Sequence, residues 1–153
     1  MNMKLTFLGA TAAVTGSKTL LEYTSPHAAQ GTQSVLIDCG LFQGYKQLRL
    51  RNREPLPFQP AALSGVVLTH AHIDHSGLLP KLVRYGFAGR IFATRGTIDL
   101  CSYMLPDAGS IQESEVETLN RRNAAKGRAA VEPIYTKADA IASLSAFRPI
   151  EYE

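Results

Sequence analysis

The chain has 153 residues, which is enough for one domain and short for two. With 45% hydrophobic and 19% charged residues, its composition is that of a folded globular protein and excludes an intrinsically disordered chain. Sixteen Lys and Arg against thirteen Asp and Glu give a formal net charge of +3, which permits a polyanionic partner without requiring one.

Cysteine usage and apolar runs indicate the cellular location. Cys39 and Cys101 lie far apart in the sequence, which excludes a disulfide framework and favours a reducing compartment. No apolar run approaches the length that spans a membrane, and the first residues lack the apolar stretch of a secretion signal. We therefore expect a cytoplasmic protein.

The first part of the chain predicts three strands and one basic connection. β-Prone segments at 4–8, 18–23 and 34–40 predict the strands, and the third of these contains Asp38 near its end. Residues 41–60 carry four Lys and Arg followed by three prolines, which predicts a short basic helix or loop and then a proline-broken connection.

The rest of the chain alternates strands with helices. A buried strand at 66–69 leads to a helix that begins near Ser76, the expected N-cap. A strand follows at 90–93, and the final part of the chain is expected to be largely helical. Strands first and then strands alternating with helices predict a mixed α/β fold in layers.

The last elements are predicted with one uncertain break. Residues 97–126 have a helical composition, and Pro106 or Gly109 could interrupt the helix. An amphipathic helix is predicted at 137–147, and a strand could begin at 150–152.

Three of the four histidines fall within six residues, where the strand at 66–69 gives way to the helix. Residues two apart on a strand point to the same side, so His70 and His72 can hold one ion. The following turn can present Asp74 and His75 to a neighbouring position. Imidazole and carboxylate ligands suit zinc, and also manganese or iron where oxygen ligands are more numerous. The alternative is that these are surface or structural histidines.

The sequence from His70 to His75, HAHIDH, resembles the metal-binding signature of the metallo-β-lactamase superfamily. Other segments are similar to one branch of it, the β-CASP RNA-processing nucleases. These segments are LTFLGA at 5–10, VTGS at 14–17, LIDCG at 36–40, LFQG at 41–44, PLPF at 55–58 and the run from 66 to 87.

The resemblance implies a role for each matching residue. His70 and His72 would bind a first zinc ion, and Asp74 and His75 a second. Asp74 would also be the catalytic residue that orients or deprotonates the attacking water. Asp38 would hold the site together from behind the ligands, although its spacing alone favours an acid that caps a turn.

The resemblance also implies the architecture and the activity. The fold would be part of an αββα sandwich, in which two mixed sheets lie between helices. The activity would be hydrolysis of RNA phosphodiester bonds by a water that two zinc ions activate. The motif itself also occurs in hydrolases of small thioesters and lactams, so a small-molecule hydrolase is the alternative.

Part of the family's site has no counterpart in this sequence. The family adds a His, a metal-bridging Asp and a further His, yet no His follows His75, and nothing marks Asp99, Asp107 or Asp139 as the bridging acid. We therefore expect residues 1–153 to be the N-terminal portion of the domain, without its remainder and without the inserted β-CASP domain. Such a chain would be nearly inactive alone, or would be a non-catalytic truncated chain.

Three weaker signals remain. The basic runs at 46–53 and 121–128 could contact RNA phosphates, although such runs are more often solvated surfaces. His27 lies in a turn at 25–32, matches no motif and is expected to be exposed. Cys39 is expected to be a small buried residue.

Overall fold

The computed structural model describes residues 2–24 and 31–152. The prediction made for His27 lies outside these residues. In the part of the chain that is described, no helix combines the length and the hydropathy that crossing a bilayer requires.

Within residues 2–24 and 31–152, six strands form one mixed sheet in sequence order. They are β1 (Asn2–Phe7), β2 (Thr19–Thr24), β3 (Thr32–Ile37), β4 (Gly65–Val67), β5 (Arg90–Thr94) and β6 (Phe147–Ile150). The first three strands pair antiparallel, and β3 to β6 pair parallel. Parallel neighbours require crossover connections, and the segments between these strands, which contain the helices, supply them.

Five α-helices accompany the sheet in the described residues. They are α1 (Lys46–Leu50), α2 (Ile73–Ser76), α3 (Leu79–Arg84), α4 (Arg95–Ala124) and α5 (Lys137–Ser143). Short 3₁₀ turns follow at Arg51–Arg53, Pro60–Ala62 and Leu144–Ala146. The predicted mixed α/β fold class is therefore confirmed.

The two faces of the sheet differ in how they are covered. One face packs against α3, α4 and α5, and Leu36, Val66 and Ile91 are completely buried there. Because side chains alternate along a strand, their neighbours point to the other face. That face exposes Leu5 by 51% and Phe7 by 64%. The described residues thus form a sheet with one covered face and one open apolar face.

Ser76 does not cap a helix, contrary to the prediction. It is the last residue of α2, and the N-cap position belongs to His72. The hydroxyl of Ser76 is buried and donates to the carbonyl of Ala71 at 2.8 Å. The helix begins earlier than expected because the amide of Ser76 already bonds the carbonyl of His72.

The later helices also differ from prediction. α4 runs unbroken through Pro106 and Gly109. α5 is shorter than predicted, and Phe147 begins β6 instead of ending a helix. The reason is long-range pairing, because Phe147 lies opposite Ile91 in the parallel register.

Candidate metal centre

The carboxyl ends of two parallel strands bring the site together. In the register of β3 and β4, Ile37 lies opposite Val67. Asp38 directly follows Ile37, and Thr69 and His70 come shortly after Val67, so all three reach the same edge of the sheet. This edge is where open parallel sheets place their ligand sites.

Backbone hydrogen bonds join the two segments that leave this edge. The amide of Cys39 donates to the carbonyl of His75 at 2.7 Å, and the amide of Leu41 donates to the carbonyl of Ile73 at 3.0 Å. A loop fixed by main-chain bonds leaves few conformations open to the side chains between them. The segment carrying the histidines is therefore held in place independently of any ion.

Gly40 permits the close approach of these segments. A Cβ atom at Gly40 would lie 1.6 Å from the carbonyl oxygen of Asp74. The same carbonyl accepts the amide of Ser17 at 2.8 Å, and the amide of Gly40 donates to the carbonyl of Ser17 at 2.9 Å. Only glycine leaves room for three chain segments to meet here.

Asp38 is the acceptor at the centre of a buried network. It is 3% exposed and has a φ of +59°, a left-handed conformation that Asp tolerates better than most residues. Its carboxylate accepts the amide of Thr69 at 2.9 Å, the hydroxyl of Thr69 at 2.9 Å and the hydroxyl of Ser17 at 3.2 Å. His75 Nδ1 lies 2.7 Å from it.

The network fixes the tautomers of two histidines. An ionised carboxylate only accepts hydrogen bonds, so His75 Nδ1 must carry the proton that it shares with Asp38. The hydroxyl of Thr69 has one hydrogen, which goes to Asp38, so it accepts from His70 Nδ1 at 3.0 Å. In both rings Nδ1 is thus engaged, and Nε2 is the nitrogen available to a ligand.

The histidine rings converge. The ring centroids of His70 and His75 are 4.0 Å apart, and those of His70 and His72 are 4.7 Å apart. A carboxylate oxygen of Asp74 lies 3.7 Å from His75 Nε2, beyond hydrogen-bond distance. The structure thus brings together all four residues of the predicted cluster, with Asp38 directly behind them.

These donors are of the types that bind divalent metal ions, namely neutral imidazole nitrogens and a carboxylate. Imidazole ligands commonly donate their second nitrogen to a carboxylate, as His75 does to Asp38. Within residues 2–24 and 31–152, however, no three His, Cys, Asp or Glu side chains are arranged to hold one ion. The described chain therefore presents oriented donors without a closed cage.

The remaining acids and the cysteine of the motif region lie outside this cluster. Asp139 belongs to the capping box of α5 with Thr136, while Asp99 and Asp107 are exposed on α4. Cys39 is fully buried, as expected, and burial raises the pKa of its thiol to about 11. None of these groups contributes to the histidine cluster.

Sequence reasoning missed Thr69 and Ser17. Both are small hydroxyl residues whose function depends on contacts with Asp38 across 31 and 21 positions of the chain. The one local signal was the position of Thr69, a hydroxyl residue directly between a buried strand and the first histidine. Nothing local marked Ser17.

Comparisons with known proteins identify the family and the relatives of this chain. A family model described as the metallo-beta-lactamase superfamily matches residues 28–91. That range includes Asp38 and the whole segment from His70 to His75.

Sequence relatives extend the match. Ribonuclease TTHA0252 of Thermus thermophilus is 37% identical over 150 residues, which is 98% of this chain and 28% of that protein. Transcription termination factor FttA of Methanococcus maripaludis is 32% identical over 114 residues, covering 74% of this chain and 17% of that one. FttA of Methanocaldococcus jannaschii is 37% identical over 81 residues, covering 53% and 13%.

This chain spans less than a third of the length of each of these relatives. Within that span, the family match covers Asp38, Thr69 and the histidine cluster described above. The chain belongs to the metallo-β-lactamase superfamily.

Proposed function

We propose that this chain is part of a metal-dependent ribonuclease that hydrolyses RNA phosphodiester bonds. The observation that carries the proposal is the set of hydrogen bonds made by Asp38 and Thr69, which engage Nδ1 of His75 and of His70 and leave Nε2 of both rings available to a ligand. The similarity to a protein named a ribonuclease supports RNA as the substrate.

The histidine cluster would hold the metal ions. His70 and His72 would bind a first zinc ion, and Asp74 and His75 a second. When bound, zinc supplies a Lewis acid for the phosphoryl oxygen and makes a bound water more acidic. Among the described residues the carboxylate of Asp74 makes no hydrogen bond, and His75 Nε2 lies 3.7 Å from it, so it would be free to orient the attacking water and accept its proton.

The open sheet face supports the proposed domain organisation. We infer that residues 1–153 form the N-terminal portion of the sandwich and that a second sheet from the rest of the domain covers this face. Met3, Leu5 and Phe7 are all more than half exposed there. An apolar surface of this kind is a hazard for a chain on its own. The remaining metal ligands would come with that second sheet.

The test is zinc stoichiometry and RNA cleavage, measured on the isolated chain and on the intact protein. We expect the isolated chain to bind fewer than two zinc ions tightly and to leave RNA uncut, because too few ligands are present. The intact protein should cleave RNA only with metal and should lose that activity in Asp74→Asn. Asp107→Asn, which changes an exposed carboxylate on α4, is the matched control.

Two results would contradict the proposal. Tight binding of two zinc ions by the isolated chain, with turnover of RNA, would overturn the proposal that the rest of the domain supplies the remaining metal ligands. Hydrolysis of a thioester or lactam by the intact protein, with RNA left uncut, would replace the ribonuclease with a small-molecule hydrolase.

A further inference from the structure

The cationic side chains of the basic run at 46–53 point in two directions. Arg51 turns toward Phe42, and its guanidinium lies 4.2 Å from the centre of that ring. Lys46, Arg49 and Arg53 instead line a groove of about 500 Å³ between α1 with its 3₁₀ turn and α4. We name this feature the basic groove.

Helical spacing explains why these three cations share one side. Lys46 and Arg49 are three residues apart, and Arg49 and Arg53 are four apart, which places them on one face of a helical segment. Seven residues of helix extend about 10 Å, so the three charges form a row along the groove. All three side chains belong to exposed residues.

The basic groove reaches the candidate metal centre through Ile73. This residue lines the groove and stands between His72 and Asp74 in the sequence. Leu41 and Ile134 add to an apolar floor. A polymer lying in the groove would therefore pass beside the histidine cluster.

The charge balance of the groove favours a polyanion. Its lining contains three cations and one carboxylate, that of Glu115. Arg53 is held in place by donating to the carbonyl of Glu132 at 2.6 Å, whereas the side chains of Lys46 and Arg49 make no hydrogen bond or ion pair within the described chain. A row of cations above an apolar floor matches a phosphodiester backbone with its sugars and bases against the floor.

We propose that the basic groove binds the phosphodiester backbone of single-stranded RNA and leads it to the metal centre, with Lys46 and Arg49 as the principal phosphate contacts. This inference rests on the proposed function, because it assigns the path of that function's substrate. It assigns no sequence preference, since phosphate contacts position a strand without reading its bases.

The experiment measures binding of a fluorescein-labelled single-stranded RNA to the intact protein by anisotropy, with EDTA present to prevent cleavage. Lys46→Gln and Arg49→Gln should each weaken binding about threefold to tenfold. Each should also lower the slope of log affinity against log salt by about 0.7, the value for one phosphate contact on a single strand. Arg53→Gln should act in the same direction.

Lys4→Gln is the matched control, because Lys4 is a 70% exposed cation on β1 that is paired with Glu22. It should leave both the affinity and the slope unchanged. Wild-type binding by the Lys46 and Arg49 variants would overturn the proposal, and so would an equal loss in Lys4→Gln, which would indicate net charge alone.

Cleavage of the same RNA with zinc, measured separately, distinguishes the two proposals. RNA cleaved by the wild type but bound equally well by the groove variants would refute the groove and leave the ribonuclease. Groove-dependent binding with no metal-dependent cleavage would refute the ribonuclease and leave the groove.

Discussion

The described residues include one buried anion and two buried cations whose charges are stabilised in different ways. Asp38 is 3% exposed, and Lys18 and Lys81 are 4% and 3% exposed. Burying a charge is costly unless hydrogen bonds replace its water. The two kinds of charge meet this requirement with different partners.

The partners of Asp38 are mostly side chains, whereas those of the lysines are main-chain carbonyls. Lys18 donates to the carbonyls of Gly40 at 2.6 Å and Gly16 at 3.3 Å. Lys81 donates to the carbonyls of Asn52 and Glu54. We infer that the anion orients reactive groups, while the cations hold loops in place. Substitutions of Asp38 and of the lysines test whether the two kinds of charge have these different roles.

The largest effect should come from Gly40→Ala. This substitution disrupts both the segment that follows Asp38 and the loop whose carbonyl accepts from Lys18. The new Cβ would meet the main chain of Asp74, whose carbonyl oxygen and carbon lie 1.6 and 2.1 Å from it. Main chain cannot give way as a flexible side chain can, so we expect a loss of more than about 4 kcal/mol in the free energy of unfolding. Urea denaturation measures it.

Gly96→Ala is the control for that variant. Gly96 lies in the first turn of α4 and a Cβ there would meet nothing within 4 Å. Alanine is the better helix former by about 1 kcal/mol in a helix interior, so this variant should be neutral or slightly stabilised. Equal stability of the two alanine variants would mean that the segments need not meet closely at Gly40.

The next largest effect is expected for Asp38→Ala. It leaves the donors of Thr69, Ser17 and His75 without their acceptor and places alanine at a φ of +59°. We expect a loss of about 3 kcal/mol or more in stability, since bonds to charged groups contribute roughly 1.5–3 kcal/mol each. Thermal unfolding checks this value.

The matched variants separate stability from orientation. Asp38→Asn keeps the shape and tolerates the left-handed backbone, yet zinc affinity should fall about tenfold to a hundredfold because His75 loses its carboxylate partner. Thr69→Val removes the hydroxyl that contacts His70 Nδ1, so it should change the tautomer of His70 alone. The ¹⁵N shifts of the imidazoles report the tautomers, and unchanged shifts in all three variants would refute the orienting role of Asp38.

Local patterns predicted the scaffold of this site better than its supporting contacts. β-Prone runs predicted the first five strands, and the spacing of His70, His72 and His75 predicted a cluster that the structure does bring together. These features depend on residues close in sequence. The acceptor role of Asp38 toward Thr69 depends on the parallel register of β3 and β4, which no local pattern contains.

The errors have the same origin. The sequence marks Gly109 as a candidate helix break, yet it is a buried residue inside α4. The helix packs closely on the chain there, since a Cβ at Gly109 would lie 2.7 Å from the main-chain nitrogen of Lys137. Likewise, the basic run gave no sign that Arg51 would turn away from Lys46 and Arg49 to stack on Phe42. Tertiary contacts decided both outcomes.

A smaller loss of stability is expected when a buried lysine is replaced. Lys18→Met keeps an apolar chain of similar length but leaves the carbonyls of Gly16 and Gly40 unpaired. We expect a loss of about 1–3 kcal/mol in the free energy of unfolding, measured in urea. The imidazole ¹⁵N shifts should stay as in the wild type, and Lys81→Met should behave alike. Altered histidine tautomers in Lys18→Met would show that the cations also orient the site.

The last expected effect is a pH dependence of stability. Burial, with smaller contributions from Arg51 and Lys81, lowers the pKa of Lys18 from 10.5 to about 8. Between these values the unfolded chain binds more protons than the folded chain, so the contribution of Lys18 to stability rises with pH. Burial raises the pKa of Cys39 from 9.0 to about 11, which acts in the opposite direction.

The experiment compares the Cys39→Ala variant with the double variant Cys39→Ala/Lys18→Met, so that the thiol is absent from both proteins. The difference in unfolding free energy should be flat below pH 8 and grow from there to about pH 10.5. A constant difference across that range would mean that the carbonyls of Gly16 and Gly40 stabilise the ammonium group as well as water does.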